Sequence, residues 1–201
     1  MNNSKTTKII EFSGIPRSGK STSAEGLKRF LESKKKRTHL VKERASLCPI
    51  PNKLHPDFNL WTSLSFFREL LVASNNNKEF IIADRGLFDA NIWINLFCEQ
   101  DKIYKKELSI FQSIYDSVFM KNIEYYLFFF KCDIQCALNR KYERTLVKKT
   151  GRIMNEDILG KYILSYSSIK SQSKIEIIEL DTTKMPIANM LNSVYRHFAQ
   201  S

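Results

Sequence analysis

The sequence predicts an α/β fold, a three-layer sandwich whose five-stranded parallel sheet carries helices on both faces. Three observations point there. Short β-prone runs alternate with longer amphipathic ones along the whole chain, the pattern left by strands joined through helical crossovers. The run Phe80-Ile81-Ile82-Ala83 is continuously apolar and ends in Asp84, as a strand buried on both faces would. A glycine-bearing turn, "SGIPRSGKSTSAEGL", links the first strand to the first helix. With 201 residues, 43% of them hydrophobic, the chain is expected to form one domain over residues 1–201 with ample core.

In order, the pattern gives a strand at 7–13, a helix at 20–34 with Leu27, Phe30 and Leu31 inward, and a strand at 38–43. An irregular loop at 44–56 follows, because Pro49, Pro51 and Pro56 forbid regular structure; it is expected to lie over the ligand cleft. A helix at 57–76, a turn at Asn75-Asn76-Asn77 and a strand at 79–84 come next. Helices at 87–100 and 104–121 precede a strand at 124–130. The remainder reads as a helix at 133–144, a basic segment at 145–153, a helix at 155–171, a strand at 174–180 and a helix at 184–199. Parallel sheets bind ligands outside the carboxyl ends of their strands. The first three strands are expected to end at Gly14, Glu43 and Asp84, all on one edge.

The turn carries the most specific chemistry. Gly14-x-x-x-x-Gly19-Lys20-Ser21 is the spacing of a phosphate-binding loop, which makes the sandwich of the P-loop NTPase kind. Its glycines let successive N–H groups face one anion, and the helix N-terminus adds partial positive charge. The segment Gly14, Ile15, Pro16, Arg17, Ser18, Gly19, Lys20, Ser21 and Thr22 is therefore expected to hold ATP. Lys20 would reach the terminal phosphates, and Ser21 would offer its hydroxyl to Mg2+. Asp84 would orient that ion through water, or cap the helix that follows.

Composition sets further bounds. No run of eighteen apolar residues exists, and the polar start lacks the apolar core of a signal peptide, so a cytoplasmic protein without a membrane association is expected. Cys48, Cys98, Cys132 and Cys136 show no CxxC pair and read as reduced packing residues. The net charge of +11 suits polyphosphate ligands, and less specifically a nucleic acid; the densest run, Lys34-Lys35-Lys36-Arg37, falls where a helix end favours cations.

No Asn-Lys-x-Asp follows a strand, which argues against a guanine-selective switch protein. Arginines argue for phosphoryl transfer, where planar guanidinium groups neutralise charge on the moving group. Arg17 lies inside the loop, Arg44 and Arg85 follow the second and third strands, and Arg140, Arg144 and Arg152 flank the basic segment. Two arginines at neighbouring strand ends suit an acceptor phosphate. A set on a mobile flap at 140–153 suits the donor.

The chain resembles the thymidylate kinases, within the wider group of nucleoside and nucleoside monophosphate kinases. "GIPRSGKST", "VKERAS", "ADRGLFDA", "GRIMNEDILGKYILSY" and "IIELDTTKMPIANMLNSVYRHF" resemble that family's segments in order along nearly the whole chain. The resemblance implies ATP as donor with Mg2+, and a thymidylate-like pyrimidine deoxynucleotide as acceptor. Arg17 would touch the γ-phosphate, Arg44 and Arg85 the acceptor's phosphate, and Arg68 the base. It also implies dimerisation through helices, with Phe88, Ile92 and Trp93 contributing.

Three departures fall on the nucleoside side. Pro16 stands where the family has an acid, Gly86 replaces the aromatic after Asp-Arg, and the proline-rich loop has no counterpart. Deoxynucleoside kinases, which the chain also resembles, place a glutamate at the end of the second strand. Glu43 would then be a base for a sugar hydroxyl; otherwise it is an ion-pair partner of Arg44, Arg85 or a flap cation. A kinase of nucleic-acid 5′ ends, and a nucleotide sensor without turnover, are the alternatives to a small-molecule kinase. Trp61, Phe66 and Phe67 on the helix over the cleft read either as ring-stacking residues or as core.

Overall fold

The computed structural model describes residues 7–100, 105, 108–110, 113, 123–140, 153–173 and 175–198. Five strands, β1 (Lys8–Gly14), β2 (Thr38–Val41), β3 (Phe80–Asp84), β4 (Glu124–Lys131) and β5 (Ile177–Asp181), form one sheet in the order β2-β3-β1-β4-β5. Every pairing is parallel, with Phe12 beside Asp84 and Gly14 beside Phe130. The carboxyl ends of all five strands therefore lie on one edge.

The side-chain period of two splits the strands between two layers. Ile10 and Phe12 of β1, with Phe128 and Phe130 of β4, face α1 (Lys20–Ser33) and α6 (Ile187–Arg196). Leu127 and Phe129 face the other way, toward α3 (Leu87–Glu99) and α5 (Glu156–Gln172). Ile9, Val41 and Ile81 meet α2 (Pro56–Asn75) on that second face. Glu11 shares the second face and is wholly buried there. In α1, Leu27 and Leu31 are buried, and Phe30 stacks on Tyr195 of α6.

Several boundaries differ from the sequence reading, each for a local reason. As an edge strand pairing only with β3, β2 stops at Val41, so Glu43 lies in the coil beyond it rather than at a strand end. Pro56 opens α2 instead of closing the loop, since a first helical position needs no N–H, and His55 caps it by accepting from Asp57 N. The helix expected at 133–144 is the short α4 (Ile134–Asn139), and Arg140 is extended. The last helix begins after Pro186 because the residue before a proline is pushed out of helical conformation. The expected helix at 104–121 falls largely outside the described residues.

All four cysteines are free thiols. Phe88, Ile92 and Trp93 pack inside the chain beside Tyr162 and Tyr166 of α5, which removes them as dimer contacts. Among the described residues no helix is long and apolar enough to cross a membrane.

Candidate active site

A cleft of about 780 Å³ opens along the carboxyl edge of the sheet, and the phosphate loop forms its floor. Gly14 has φ +133°, and a Cβ there would sit 2.5 Å from Phe130 O, so only glycine lets the loop turn against β4. Gly19, at φ +102°, ends the turn and starts α1, whose first turn has no side-chain cap. An anion is the natural partner of such a helix start. Ile15 and Ser18 are buried beneath the loop, while Pro16, Ser21 and Thr22 line the cleft.

Lys20 is buried and donates to Gly14 O at 2.9 Å and Ile15 O at 2.6 Å. Burial first, and then the nearby Arg85 guanidinium, lower its pKa to about 7. The Ser21 hydroxyl hydrogen-bonds the Asp84 carboxylate, whose pKa is raised by burial. A hydroxyl and a carboxylate side by side are hard oxygen donors that fit Mg2+, which takes few protein ligands and completes its shell with phosphate and water. Among the described residues no group of three or more His, Cys, Asp or Glu side chains is placed to hold a metal alone.

Arg85 occupies the centre. It adopts φ +64°, held by its N–H to Phe12 O at 3.1 Å. Its Nε lies 3.1 Å from Glu43 Oε1 and its NH1 donates to Asp89 Oδ2 at 2.7 Å. Burial opposes this charge, but Asp89 and Glu43 outweigh it and hold Arg85 firmly protonated. Asp89 is 3% exposed and also accepts from Tyr162 OH at 2.6 Å and Ser13 Oγ at 3.2 Å. Burial alone would raise its pKa; Arg85 and Lys20 reverse that, and the carboxyl titrates below its ordinary value.

The arginines divide. Arg17, also at positive φ, donates to Leu138 O at 3.0 Å and Arg140 O at 2.9 Å. Arg140 lines the cleft and returns a bond to Arg17 O at 2.8 Å and another to Thr183 O at 3.1 Å. Arg44 lines the cleft but is ion-paired with Glu69 of α2. Arg68 is exposed on α2 and contributes nothing to the cleft, two residues from Phe66 and so on the far side of the helix. Arg144 and Arg152 lie outside the described residues.

Beyond Arg85 the cleft becomes aromatic, with Phe58, Phe66, Trp93 and Phe97 in its walls. Trp61 packs instead against the cluster of Ala45, Cys48 and Phe58, and Phe67 against that of Ile9 and Leu70. The loop at 44–56 reaches the cleft through Arg44, Ala45 and Lys53.

Three polar residues escaped the sequence reading. Asn59 lines the aromatic end, buried, its amide Nδ2 fixed by Ala90 O at 3.0 Å, which turns its carbonyl oxygen into an oriented acceptor. Asp89 stands four residues after Arg85, one helical turn, and that spacing was the available signal. Glu11, not Asp84, caps α3: its carboxylate accepts from Phe88 N at 3.1 Å and Asp89 N at 2.8 Å, and from Tyr125 OH. A carboxylate inside an apolar central strand was its only trace in the sequence.

Comparison with known proteins bears on the fold. No family model matches the chain, and no curated protein does. Among solved structures, the chain is similar to a deoxyadenosine kinase from M. mycoides with dATP bound. The TM-score is 0.67 at 16% identity, over 96% of this chain and 100% of that one. The same enzyme with dCTP bound gives 0.64 at 15% identity, over the same shares. A thymidylate kinase from Candida albicans gives 0.69 at 16% identity, over 96% of this chain and 92% of that one. The fold is thus that of the P-loop nucleoside and nucleotide kinases. Both kinds share it along nearly the whole chain, as the motif resemblance implied.

Proposed function

We propose that the protein is a Mg2+-dependent kinase that moves the γ-phosphate of ATP onto a deoxynucleoside. The carrying observation is the Glu43–Arg85–Asp89 arrangement, in which one arginine stands between two carboxylates. A monophosphate acceptor is a dianion near neutral pH and needs unopposed cations around it. Here Arg85 is already neutralised twice and Arg44 is paired with Glu69, while Glu43 stands at the cleft as a base. A neutral sugar hydroxyl fits such a place, because it needs a carboxylate to take its proton. The balance therefore tips away from the thymidylate-like acceptor favoured by the motifs.

In this reading the loop backbone and Lys20 hold the β- and γ-phosphates, and the adenine packs against Arg140, Met185, Pro186 and Ile187 at the cleft wall. Mg2+, when bound through Ser21 and Asp84, supplies charge neutralisation across the phosphates. Glu43 accepts the 5′-hydroxyl proton, and Arg85 stays fixed beside it. The aromatic walls take the acceptor base, and Asn59 offers its carbonyl oxygen to a base N–H donor. Arg17 exchanges its two carbonyl partners for phosphate oxygens when ATP is bound.

The test is labelled-phosphate transfer from ATP to a panel of deoxynucleosides, their monophosphates and 5′-hydroxyl oligonucleotides. Labelled deoxynucleoside monophosphate is the expected product. Labelled diphosphate would restore the monophosphate kinase reading, and its second favouring observation is the likeness to the thymidylate kinase. Labelled oligonucleotide would move the acceptor to nucleic-acid ends. Tight ATP binding with no labelled product would make the protein a sensor.

A further inference from the structure

Helix α3 carries Asp89 to Arg85, yet its own start is poorly equipped. Its N-cap is Gly86, which has no side chain to bond the first-turn N–H groups. Those of Phe88 and Asp89 go instead to Glu11, which reaches across from the middle of β1. The two positions are fitted to one another, since a Cβ on Gly86 would lie 2.4 Å from Glu11 Oε2. Tyr125 of β4 supplies a third donor, so the carboxylate ties β1, β4 and α3 together. The second bond is made to the backbone of Asp89 itself.

We infer that Glu11 is a positioning residue for phosphoryl transfer, setting Asp89, and through it Arg85, by capping α3 from the sheet. Glu11 touches no part of the cleft; it acts through one backbone N–H and one ion pair. Fixing the helix start fixes where the Asp89 carboxylate stands, and Asp89 with Glu43 sets the plane of the Arg85 guanidinium. Displacement there moves Arg85 relative to the acceptor hydroxyl, and reaches the phosphate loop only through the Ser13 hydroxyl that Asp89 accepts. The loss accordingly falls on kcat rather than on the KM for ATP. This inference rests on the kinase reading for its rate measurement, though not for its structural one.

A cap exchange tests it. Glu11→Ala leaves α3 uncapped, and Gly86→Ser alone drives a Cβ into Glu11. Together they offer a serine hydroxyl at the N-cap, where the new Cβ asks only a few tenths of an ångström from Phe66, whose Cζ lies 3.1 Å away. Each single change, and the isosteric Glu11→Gln, is expected to lower kcat between about tenfold and a hundredfold, with the ATP KM within about twofold. The double variant is expected to recover most of the lost kcat. Unchanged kcat in Glu11→Gln, or a double variant no faster than the slower single one, overturns the inference. The Arg85 Nε–H resonance, followed in the wild type and in Glu11→Gln, gives a readout independent of turnover. A shifted or broadened signal supports the coupling, and an unmoved one refutes it. Wild-type protein lacking transfer to every acceptor would sink the kinase reading and leave that resonance test standing.

Discussion

Arg17 and Arg140 bind each other's backbone: each guanidinium donates to the other's carbonyl oxygen, at 2.9 and 2.8 Å. The phosphate loop is thereby locked to the chain that enters the 141–152 segment. A guanidinium that satisfies two carbonyls holds its place ready for phosphate oxygens of similar spacing. Arg17→Lys keeps the charge but loses the planar fork, and kcat should fall by about 10² or more, the scale of losing one donor to a transition-state charge. Arg140→Ala should instead weaken ATP binding, raising its KM by about tenfold for roughly 1.4 kcal/mol. Steady-state kinetics with ATP varied separates the two, and equal effects on KM from both would contradict the division of roles.

In the proposed reaction, Glu43 is the residue on which the acceptor turns. As a base, its replacement in Glu43→Gln should cut transfer to a deoxynucleoside by about 10² to 10⁴ while leaving nucleoside binding intact. If Glu43 only pairs with Arg85, the same change should free Arg85 and improve transfer to monophosphates. Single-turnover rates on both acceptors decide between the two outcomes.

The turn from β1 to α1 was legible because its spacing is distinctive, and Gly14 and Gly19 both take the positive φ that only glycine adopts freely. Arg85 and Asp84 were legible as polar residues terminating an apolar strand. Glu11 and Asn59 were not, since each lies within a regular element and owes its role to a neighbour far away in sequence, Asp89 and Ala90 respectively. Of the α2 aromatics, Phe66 reaches the cleft on the same helix face as Asn59 and Ser63, whereas Trp61 and Phe67 pack into other clusters. Arg68 was misplaced by helical phase, and β2 was overextended because nothing in "THLVKE" marks where an edge strand loses its only neighbour.

Nucleotide binding should take up a proton. Buried beside Arg85, Lys20 has a pKa of about 7, so at pH 8 it is mostly neutral. A polyphosphate within reach favours the charged ammonium and raises that pKa again. Calorimetric titration with ATP in buffers of different ionisation enthalpy should reveal close to one proton absorbed at pH 8 and almost none at pH 6. A binding enthalpy independent of buffer at pH 8 contradicts this. In the folding balance Lys20 has the matching sign. The unfolded chain holds the proton up to about pH 10.5, so the cost of burying the charge is full below pH 7 and disappears as pH rises toward 10.5.

The Glu11 carboxyl imposes the opposite slope in a lower window. Burial pushes its pKa up to about 7, from 4.5 in the unfolded chain, despite three donors: Tyr125 OH and the Asp89 and Phe88 N–H groups. The Asp89 carboxylate adds a smaller push in the same direction. Between pH 4.5 and 7 the folded protein holds a proton that the unfolded chain has released, so stability must fall as pH rises. Below pH 4.5 both states are protonated and Glu11 costs nothing. Above pH 7 the cost is complete, on the order of 3 kcal/mol at 1.36 kcal/mol per pH unit. Asp84, also raised by burial, slopes the same way, so the sharper measurement is a difference. Urea unfolding of wild type and Glu11→Gln across pH 5 to 8 should show the gap between them moving in the variant's favour as pH rises. The neutral amide loses donors at every pH but escapes the charge-burial cost that grows on the wild-type side. A constant gap over that range would mean that Glu11 titrates normally, with its three donors outweighing its burial.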